Sequence, residues 1–260
     1  MRQVLFVFAV ITLLSALMWS NIPSLEVDKD FRGDAPYLVS DGWIPLLNGK
    51  NLSGWRAQEG MGENTWLTTR AVLFDIVKGP KSLGAHPAPG DRILNGPTGR
   101  TVNLVTEMKH GDIELYVEFM VPRGSNSGVY LQGLYEVQVF DSWGEGAPKT
   151  SDCGSIYHRW IDEKPVGGSA AKVNASRQPG QWQSFHIWFR APRFDAAGNK
   201  TANARFEKVL HNGILVQEDV EAEGGTRAHM PIPEAALNPL MLQGDHGPVA
   251  YRNLYYRSLP

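Results

Sequence analysis

The chain of 260 residues contains a single cysteine, Cys153, and very little excess charge. One cysteine cannot form an internal disulfide, which excludes the small, disulfide-stapled scaffolds that are common among secreted proteins. The formal net charge of −2, without a long run of like charges, argues against a nucleic-acid binder, because such proteins usually carry a strongly basic patch. We expect Cys153 to be a buried, small apolar residue.

The sequence also lacks the linear signatures of several enzyme classes. It has no G-x-S-x-G elbow, no P-loop, no G-x-G-x-x-G after a strand and no H-E-x-x-H pair. Internal repeats, helical heptads and low-complexity tracts are missing as well. Any catalytic site must therefore be assembled from residues that are distant in the sequence.

The first 20 residues differ from the rest of the chain. After Arg2, residues 4–19 form an apolar run of 16 residues without a charge. This length suits the apolar region of a secretory signal peptide and is short for a membrane-spanning helix. We predict a signal peptide or N-terminal anchor at 1–20, a linker at 21–41, and an exported protein of the periplasm or cell envelope.

Hydrophobic alternation with a period of two residues dominates the remaining chain. In residues 112–121, Ile113 and every second residue after it are apolar, which predicts a half-buried strand. Residues 183–191 alternate in the same way, and Asn212-Gly213 predicts the type I′ turn of a hairpin. Only residues 232–237 suggest a short helix. We predict an all-β, two-sheet antiparallel jelly-roll sandwich, as a single domain over 42–260.

One predicted strand carries polar side chains where a plain core strand would not. Glu136 and Gln138 share one face of the strand 135–140, while Val137 and Val139 share the other. Tyr130 and Gln132 share a face of the preceding strand. This polar face either meets solvent or lines a groove, and rings with amides and carboxylates are what a sugar-binding groove requires.

The spacing of Glu136, Gln138 and Asp141 also resembles the acids of some retaining glycosidases on jelly-roll folds. A β-bulge would be needed to bring Asp141 to the face of Glu136. Two carboxyl groups about 5 Å apart are required for that mechanism, and an amide at position 138 supplies this poorly. His246, in a glycine-flanked turn, and Arg252, in a tyrosine-rich C-terminal strand, are further candidates.

Six ordered segments resemble one known family, the 3-keto-disaccharide hydrolase domain, over roughly residues 42–260. They are "IPLLNGKNLSGWR", "SNSGVYLQGLYEVQVFD", "CGSIY", "PGQWQSFHIWF", "HNG" and "LMLQGDHGPVAYRNLYY". The resemblance implies a concanavalin-like jelly roll with a carbohydrate site on its concave face. It also implies an enzyme that cleaves glycosides already oxidised to a ketone at C3, with a sugar oxidoreductase acting upstream.

Within the implied chemistry, we assign roles to particular residues as hypotheses. Glu136 would be the catalytic base or a metal ligand, and His246 a second acid/base or ligand. Arg252 would orient Glu136 or stabilise an oxyanion. Substrate-binding residues would be Asn126, Tyr130, Gln138, Asp141 and Gln243. The implied chemistry needs no certain cofactor, although it leaves room for a divalent metal.

Other functions remain open at this point. A non-catalytic carbohydrate-binding module, a conventional retaining glycosidase and an adhesion protein of the envelope all fit the same scaffold, since a fold does not determine a function. In the first two cases the partner is an oligosaccharide or glycoside. We expect no nucleic acid and no membrane contact beyond the N-terminal segment.

Overall fold

The computed structural model describes residues 42–96 and 98–260, and these residues form strands, turns and irregular segments without a helix. The predicted signal or anchor segment and the linker lie outside the described residues. Within residues 42–96 and 98–260, no helix is long and apolar enough to cross a membrane. The described strands, numbered in chain order, are β1 (Ile44–Pro45), β2 (Trp55–Ala57), β3 (Leu67–Thr69), β4 (Val72–Leu73), β5 (Gly84–Ala85), β6 (Arg92–Leu94), β7 (Leu104–His110), β8 (Ile113–Met120), β9 (Asn126–Leu131), β10 (Tyr135–Phe140), β11 (Arg159–Ile161), β12 (Lys164–Val166), β13 (Gln183–Arg190), β14 (Arg193–Phe194), β15 (Lys200–Ala202), β16 (Ala204–His211), β17 (Ile214–Ala222), β18 (Asn238–Leu242) and β19 (Ala250–Ser258).

Two antiparallel sheets account for most of these strands. The larger sheet has eight strands in the order β17-β16-β13-β8-β19-β6-β3, with β1 pairing alongside β19. The smaller sheet has five strands in the order β10-β9-β18-β7-β2. The small hairpins β4-β5, β11-β12 and β14-β15 pair outside the two sheets.

The core lies between the two sheets. Val129, Val137 and Leu242 of the five-stranded sheet pack in one buried cluster with Leu115 and Phe185 of the eight-stranded sheet. Both sheets and this shared core lie within residues 42–260, so this segment contains the elements of an independent folding unit. The predicted all-β, two-sheet antiparallel sandwich is confirmed.

The predicted alternation of β8 is confirmed on one side only. Ile113, Leu115 and the alternate residues that follow point into the core. However, Glu114 and Glu118 on the opposite face are also buried, so the expectation of a half-buried strand is wrong. The second face is covered because Arg257 and Arg252 pair with these two carboxylates and aromatic rings pack around them.

The predicted hairpin between β16 and β17 is confirmed, whereas the short helix is not. Asn212 and Gly213 have φ angles of 53° and 81°, as a type I′ turn requires. Residues 232–237 are irregular. The Ala236 carbonyl accepts a hydrogen bond from the Gln132 amide, and the Pro233 carbonyl accepts one from Asn238. These side chains satisfy backbone groups that a helix would otherwise pair.

Replacing Phe185 with alanine tests the shared core. The Phe185 ring lies 4.6 Å from the Phe119 ring and 5.0 Å from the His211 ring, measured between centroids. We expect Phe185→Ala to lower the free energy of unfolding by about 3–5 kcal/mol, because the cavity cannot close. Urea unfolding measures this loss, with the exposed Ile161→Ala as the control that stays within about 0.5 kcal/mol. A loss of less than about 1 kcal/mol at Phe185 contradicts the described packing.

Candidate active site

The register of β9 and β10 places the polar candidates on the outer face of the five-stranded sheet. Glu136 lies opposite Tyr130, and Gln138 lies opposite Gly128, with no irregularity in the pairing. Because Val137 and Val139 point into the core, the side chains at 136 and 138 must point away from it. The sequence prediction that Glu136 and Gln138 share one face is confirmed.

A cavity of about 190 Å³ opens on this outer face. Strand β9, strand β10, the segment that follows β18, and two loops contribute to its wall. The lining residues are Asn126, Tyr130, Glu136, Gln138, Tyr157, Arg227, Ala228, Gln243 and His246. The cavity therefore brings together six of the eight residues predicted from the sequence.

Glu136 is a buried carboxyl group with an unusual protonation equilibrium. Burial raises its pKa from 4.5 to about 8, against the lowering effect of a hydrogen bond with Tyr130, and the nearby negative charge of Asp245 adds to the rise. The Tyr130 hydroxyl also lies 3.1 Å from the Arg227 carbonyl oxygen, to which it donates. A hydroxyl has one proton, so Tyr130 donates either to an ionised Glu136 or to the Arg227 carbonyl, and in the second case its oxygen can accept the proton of a neutral Glu136.

Two amide oxygens in the cavity have no hydrogen-bond partner. The Gln138 amide nitrogen donates to the Ser151 carbonyl at 3.1 Å, which determines the orientation of the amide. Its Oε1 atom and the Oδ1 atom of Asn126 are both buried and unpaired. Buried acceptors without partners are costly. A ligand that supplies hydroxyl donors at these two positions would satisfy them.

His246 forms a pair with its neighbour Asp245 at the rim of the cavity. Its Nδ1 atom lies 2.5 Å from an Asp245 carboxylate oxygen, and both side chains are partly exposed. Partial burial tends to raise the pKa of Asp245, but the hydrogen bond and charge of His246 hold that pKa below its usual value. An ionised Asp245 orients the imidazole and leaves Nε2 for proton transfer.

Three lining residues, Tyr157, Arg227 and Ala228, were not predicted as site residues. Tyr157 belongs to the "CGSIY" segment, and its amide donates to the Glu136 carbonyl, which seats it beside β10. The Arg227 guanidinium lies 4.0 Å above the Trp160 ring. The "CGSIY" motif could have identified Tyr157 as a site residue. No sequence pattern identifies Arg227, which lies in an irregular loop about 90 residues from Glu136.

The predicted partnership of Arg252 with Glu136 is wrong. Arg252 belongs to β19 of the eight-stranded sheet, where its Nε donates to Glu118 at 2.5 Å. Its guanidinium also stacks 4.2 Å above the Trp182 ring. Arg252 thus lies on the opposite side of the sandwich from the cavity, and Arg227 is the cationic side chain that lines it.

Asp141 and Gln132 also lie outside the cavity. β10 ends at Phe140 without the bulge that would return Asp141 to the face of Glu136. Its carboxylate instead accepts a hydrogen bond from the Gly124 amide at 2.8 Å. Gln132 lies in the turn between the strands, with a φ of 55°, and its backbone amide donates to Nε2 of His110. Glu136 is consequently the one carboxylate among the described lining residues.

The described residues contain no group of three or more His, Cys, Asp or Glu side chains placed to hold a metal ion. Around Glu136, the other potential ligands are the amide oxygens of Asn126 and Gln138 and the imidazole of His246. This donor set has a single carboxylate, and we assign no step of the chemistry below to a metal.

The chain belongs to the family of 3-keto-alpha-glucoside-1,2-lyase-like domains, whose model matches residues 42–257. This match confirms the resemblance drawn from the ordered sequence segments. A comparison with functionally curated proteins finds no match.

Solved structures share the fold. A "putative glycosyl hydrolase" from Parabacteroides distasonis ATCC 8503 is 27% identical, with a TM-score of 0.59 and 84% of each chain covered. A second protein of the same description and organism is 21% identical, with a TM-score of 0.51, covering 84% of this chain and 99% of its own. The domain is thus a carbohydrate-active, glycosyl-hydrolase-like domain in its family and fold.

The raised pKa of Glu136 makes the stability of the protein depend on pH. The folded protein holds this proton more tightly than the unfolded chain, so the resulting stabilisation is complete below the ordinary value of 4.5 and is lost as pH rises through about 8. We expect the unfolding free energy of the wild type to fall relative to that of Glu136→Gln between about pH 5 and pH 9. Urea unfolding of both proteins across this range measures the difference. Parallel curves would show that the carboxyl group has an ordinary pKa.

Gly128 provides the space that the Glu136 carboxyl group occupies. A Cβ atom at position 128 would lie 2.3 Å from Glu136 Oε1 and 2.7 Å from a ring carbon of Tyr130. Gly128 and Tyr130 lie on the same face of β9, two residues apart. The Glu136 carboxyl group, opposite Tyr130, therefore extends diagonally over Gly128.

We expect Gly128→Ala to push the Glu136 carboxyl group toward solvent and lower its pKa from about 8. Carboxyl ¹³C NMR titration measures this pKa, with Glu136→Gln identifying the resonance. Gly146→Ala is the matched control, because a Cβ atom there meets nothing within 4 Å. An unchanged Glu136 titration in Gly128→Ala would contradict the proposed use of this space.

Proposed function

We propose that this domain cleaves 3-keto-glycosides by elimination of the glycosidic oxygen followed by addition of water. The observation that carries the proposal is a single buried carboxyl group, Glu136, whose pKa is raised to about 8, in a cavity with no second lining carboxylate. A proton abstraction needs one base of raised pKa, whereas retaining hydrolysis needs two carboxyl groups about 5 Å apart. The family match supports the same chemistry.

Glu136 acts as the base in the first step. A ketone at C3 acidifies the hydrogen at C2, and the ionised Glu136 removes that proton. The electron pair moves into an enolate with negative charge on the C3 oxygen. Burial makes Glu136 a stronger base than an exposed carboxylate, because the apolar surroundings disfavour its charged form.

The positive charge of Arg227 stabilises the enolate oxygen. Arg227 lines the cavity, and its guanidinium carbon lies 4.0 Å from the centroid of the Trp160 ring, on which it stacks. An oriented cation that meets developing charge in a partly dry site lowers the barrier more than the same contact in water. Arg227 therefore has the role that the sequence suggested for Arg252.

His246 acts as the acid in the second step. When the enolate collapses back to the ketone, the C1–O bond breaks and a double bond forms between C1 and C2. Protonated His246, oriented by Asp245, donates its proton to the departing oxygen. Water then adds across the double bond, with its hydroxyl at C1 and a proton at C2, which yields the free 3-keto sugar.

The unpaired amide oxygens support a polyhydroxylated ligand. Asn126 Oδ1 and Gln138 Oε1 are acceptors without donors, and sugar hydroxyls supply donors. These contacts alone would also suit a carbohydrate-binding module, so turnover must separate the two functions. A sugar oxidoreductase acting earlier would supply the ketone, and export would place both reactions outside the cytoplasm.

Turnover of a 3-keto-glucoside beside its unoxidised parent tests the proposal. We expect cleavage of the keto form only, with a kcat/KM that increases as pH rises toward about 8 and Glu136 ionises. Glu136→Gln should lower kcat by about 100-fold to 10,000-fold, because the base is lost. The exposed Glu145→Gln is the matched control and should keep the wild-type rate.

Other outcomes of this assay assign other functions. Cleavage of the unoxidised parent would favour a conventional glycosidase. Sugar binding without cleavage of either form would identify a binding module. Loss of activity with a chelator, restored by a divalent cation, would add a Lewis acid that the steps above do not include.

A further inference from the structure

An exposed apolar cluster lies outside the cavity, at the end of β4 and in the loop that joins β4 to β5. Leu73 is 55% exposed, Ile76 56% and Val77 84%. These are three large aliphatic side chains within five residues, which together form an exposed apolar cluster. We call residues 73–78 the apolar loop.

The structure holds the apolar loop in a defined shape. The Asp75 carboxylate accepts hydrogen bonds from the amides of Val77 and Lys78, both at 2.9 Å. The Gly79 amide donates to the Asp75 carbonyl at 2.9 Å. The Phe74 ring packs closely on Gly180. A Cβ atom at position 180 would lie 2.0 Å from the Phe74 ring. Ile76 and Val77 are thus presented to solvent by an anchored turn.

Positive charge surrounds the apolar loop. Lys78 directly follows Val77, Lys81 lies three residues further along the chain, and both are exposed. Arg123 is exposed beside them, since its amide donates to the Pro80 carbonyl at 2.7 Å. The structure gives these three cations no ion pair within the described part of the chain. The nearby acids are Asp75, whose carboxylate accepts hydrogen bonds from the turn backbone, and Asp141, whose carboxylate accepts one from the amide that follows Arg123.

The apolar loop lies on the side of the sandwich opposite the cavity. Phe74 and Val72 pack with Met120, Leu94 and Ala250, which point outward from the eight-stranded sheet. Trp43, where the described chain begins, packs on the same outer face against Tyr116. The sequence before it contains the 16-residue apolar run at 4–19. A surface bound at this face would leave the cavity on the five-stranded sheet open.

We propose that the apolar loop docks on an anionic lipid surface, with Ile76 and Val77 entering the interface between headgroups and acyl chains. Aliphatic tips flanked by lysines match such a surface in both respects, because the tips lose water and the cations meet negative headgroups. From the sequence we expected membrane contact only through the N-terminal segment, and the apolar loop would add a second membrane contact.

Fluorescence of a dye placed on the loop tests lipid docking in the full chain. The natural Cys153 is buried, so Val77→Cys provides a single reactive position. We expect an environment-sensitive dye at 77 to shift to shorter wavelength with phosphatidylcholine vesicles that contain phosphatidylglycerol. A dye at Ala197→Cys, an exposed turn between β14 and β15, should not shift.

Sedimentation of residues 42–260 with the same vesicles measures the strength of docking without the N-terminal segment. Ile76→Asp and Val77→Asp should each weaken partitioning at least about tenfold, because an apolar side chain that enters the interface is lost. Ile161→Asp, at an isoleucine that is 41% exposed on the β11-β12 hairpin, should bind as the wild type does. Raising the salt concentration should weaken binding of the wild type.

Several results would overturn lipid docking. An unshifted dye at 77, or equal shifts at 77 and 197, would show that the loop makes no specific contact with lipid. A shift at 77 without vesicles that grows with protein concentration would assign the loop to contact with a second copy of the chain. Equal partitioning of Val77→Asp and wild type would remove the apolar tip from the interface.

Discussion

The candidate site depends on the insertion of Val137 and Val139 of β10 into the core between the sheets. These buried side chains determine the rotation of the strand, and strand alternation then forces Glu136 and Gln138 outward. If the register of β10 shifted by one residue, Glu136 and Gln138 would point into the core instead of the valines. The core thus orients the site.

Burial on the outer face then changes the chemistry of Glu136. The carboxyl group lies over Gly128 and against Tyr130, where removal of water raises its pKa. The opposite face of the molecule shows the contrasting solution. There Glu114 and Glu118 are buried too, but each is paired with an arginine. The arginines compensate the charge of those carboxylates, whereas a carboxyl group of raised pKa without a cationic partner is available for proton transfer.

Much of this arrangement could be predicted from the sequence. The period-two alternation predicted the sandwich, and parity within β10 predicted the shared face of Glu136 and Gln138. Ordered motifs predicted the family, and a glycine-flanked turn indicated His246. The expectations for Asp141 and Arg252 were wrong for a common reason. Each assumed that a residue near the site in sequence or motif order is near it in space, although Asp141 caps a loop and Arg252 belongs to the other sheet.

The sequence by itself determined the strands, their inward faces and the family, because alternation and turn chemistry act between neighbouring residues. Only the tertiary structure decided which side chains meet in the cavity. Arg227 reaches it because its amide bonds to the His158 carbonyl and its guanidinium rests on Trp160. The pKa of Glu136 was likewise decided in three dimensions, since desolvation depends on everything that packs around the group and not on its neighbours in the chain.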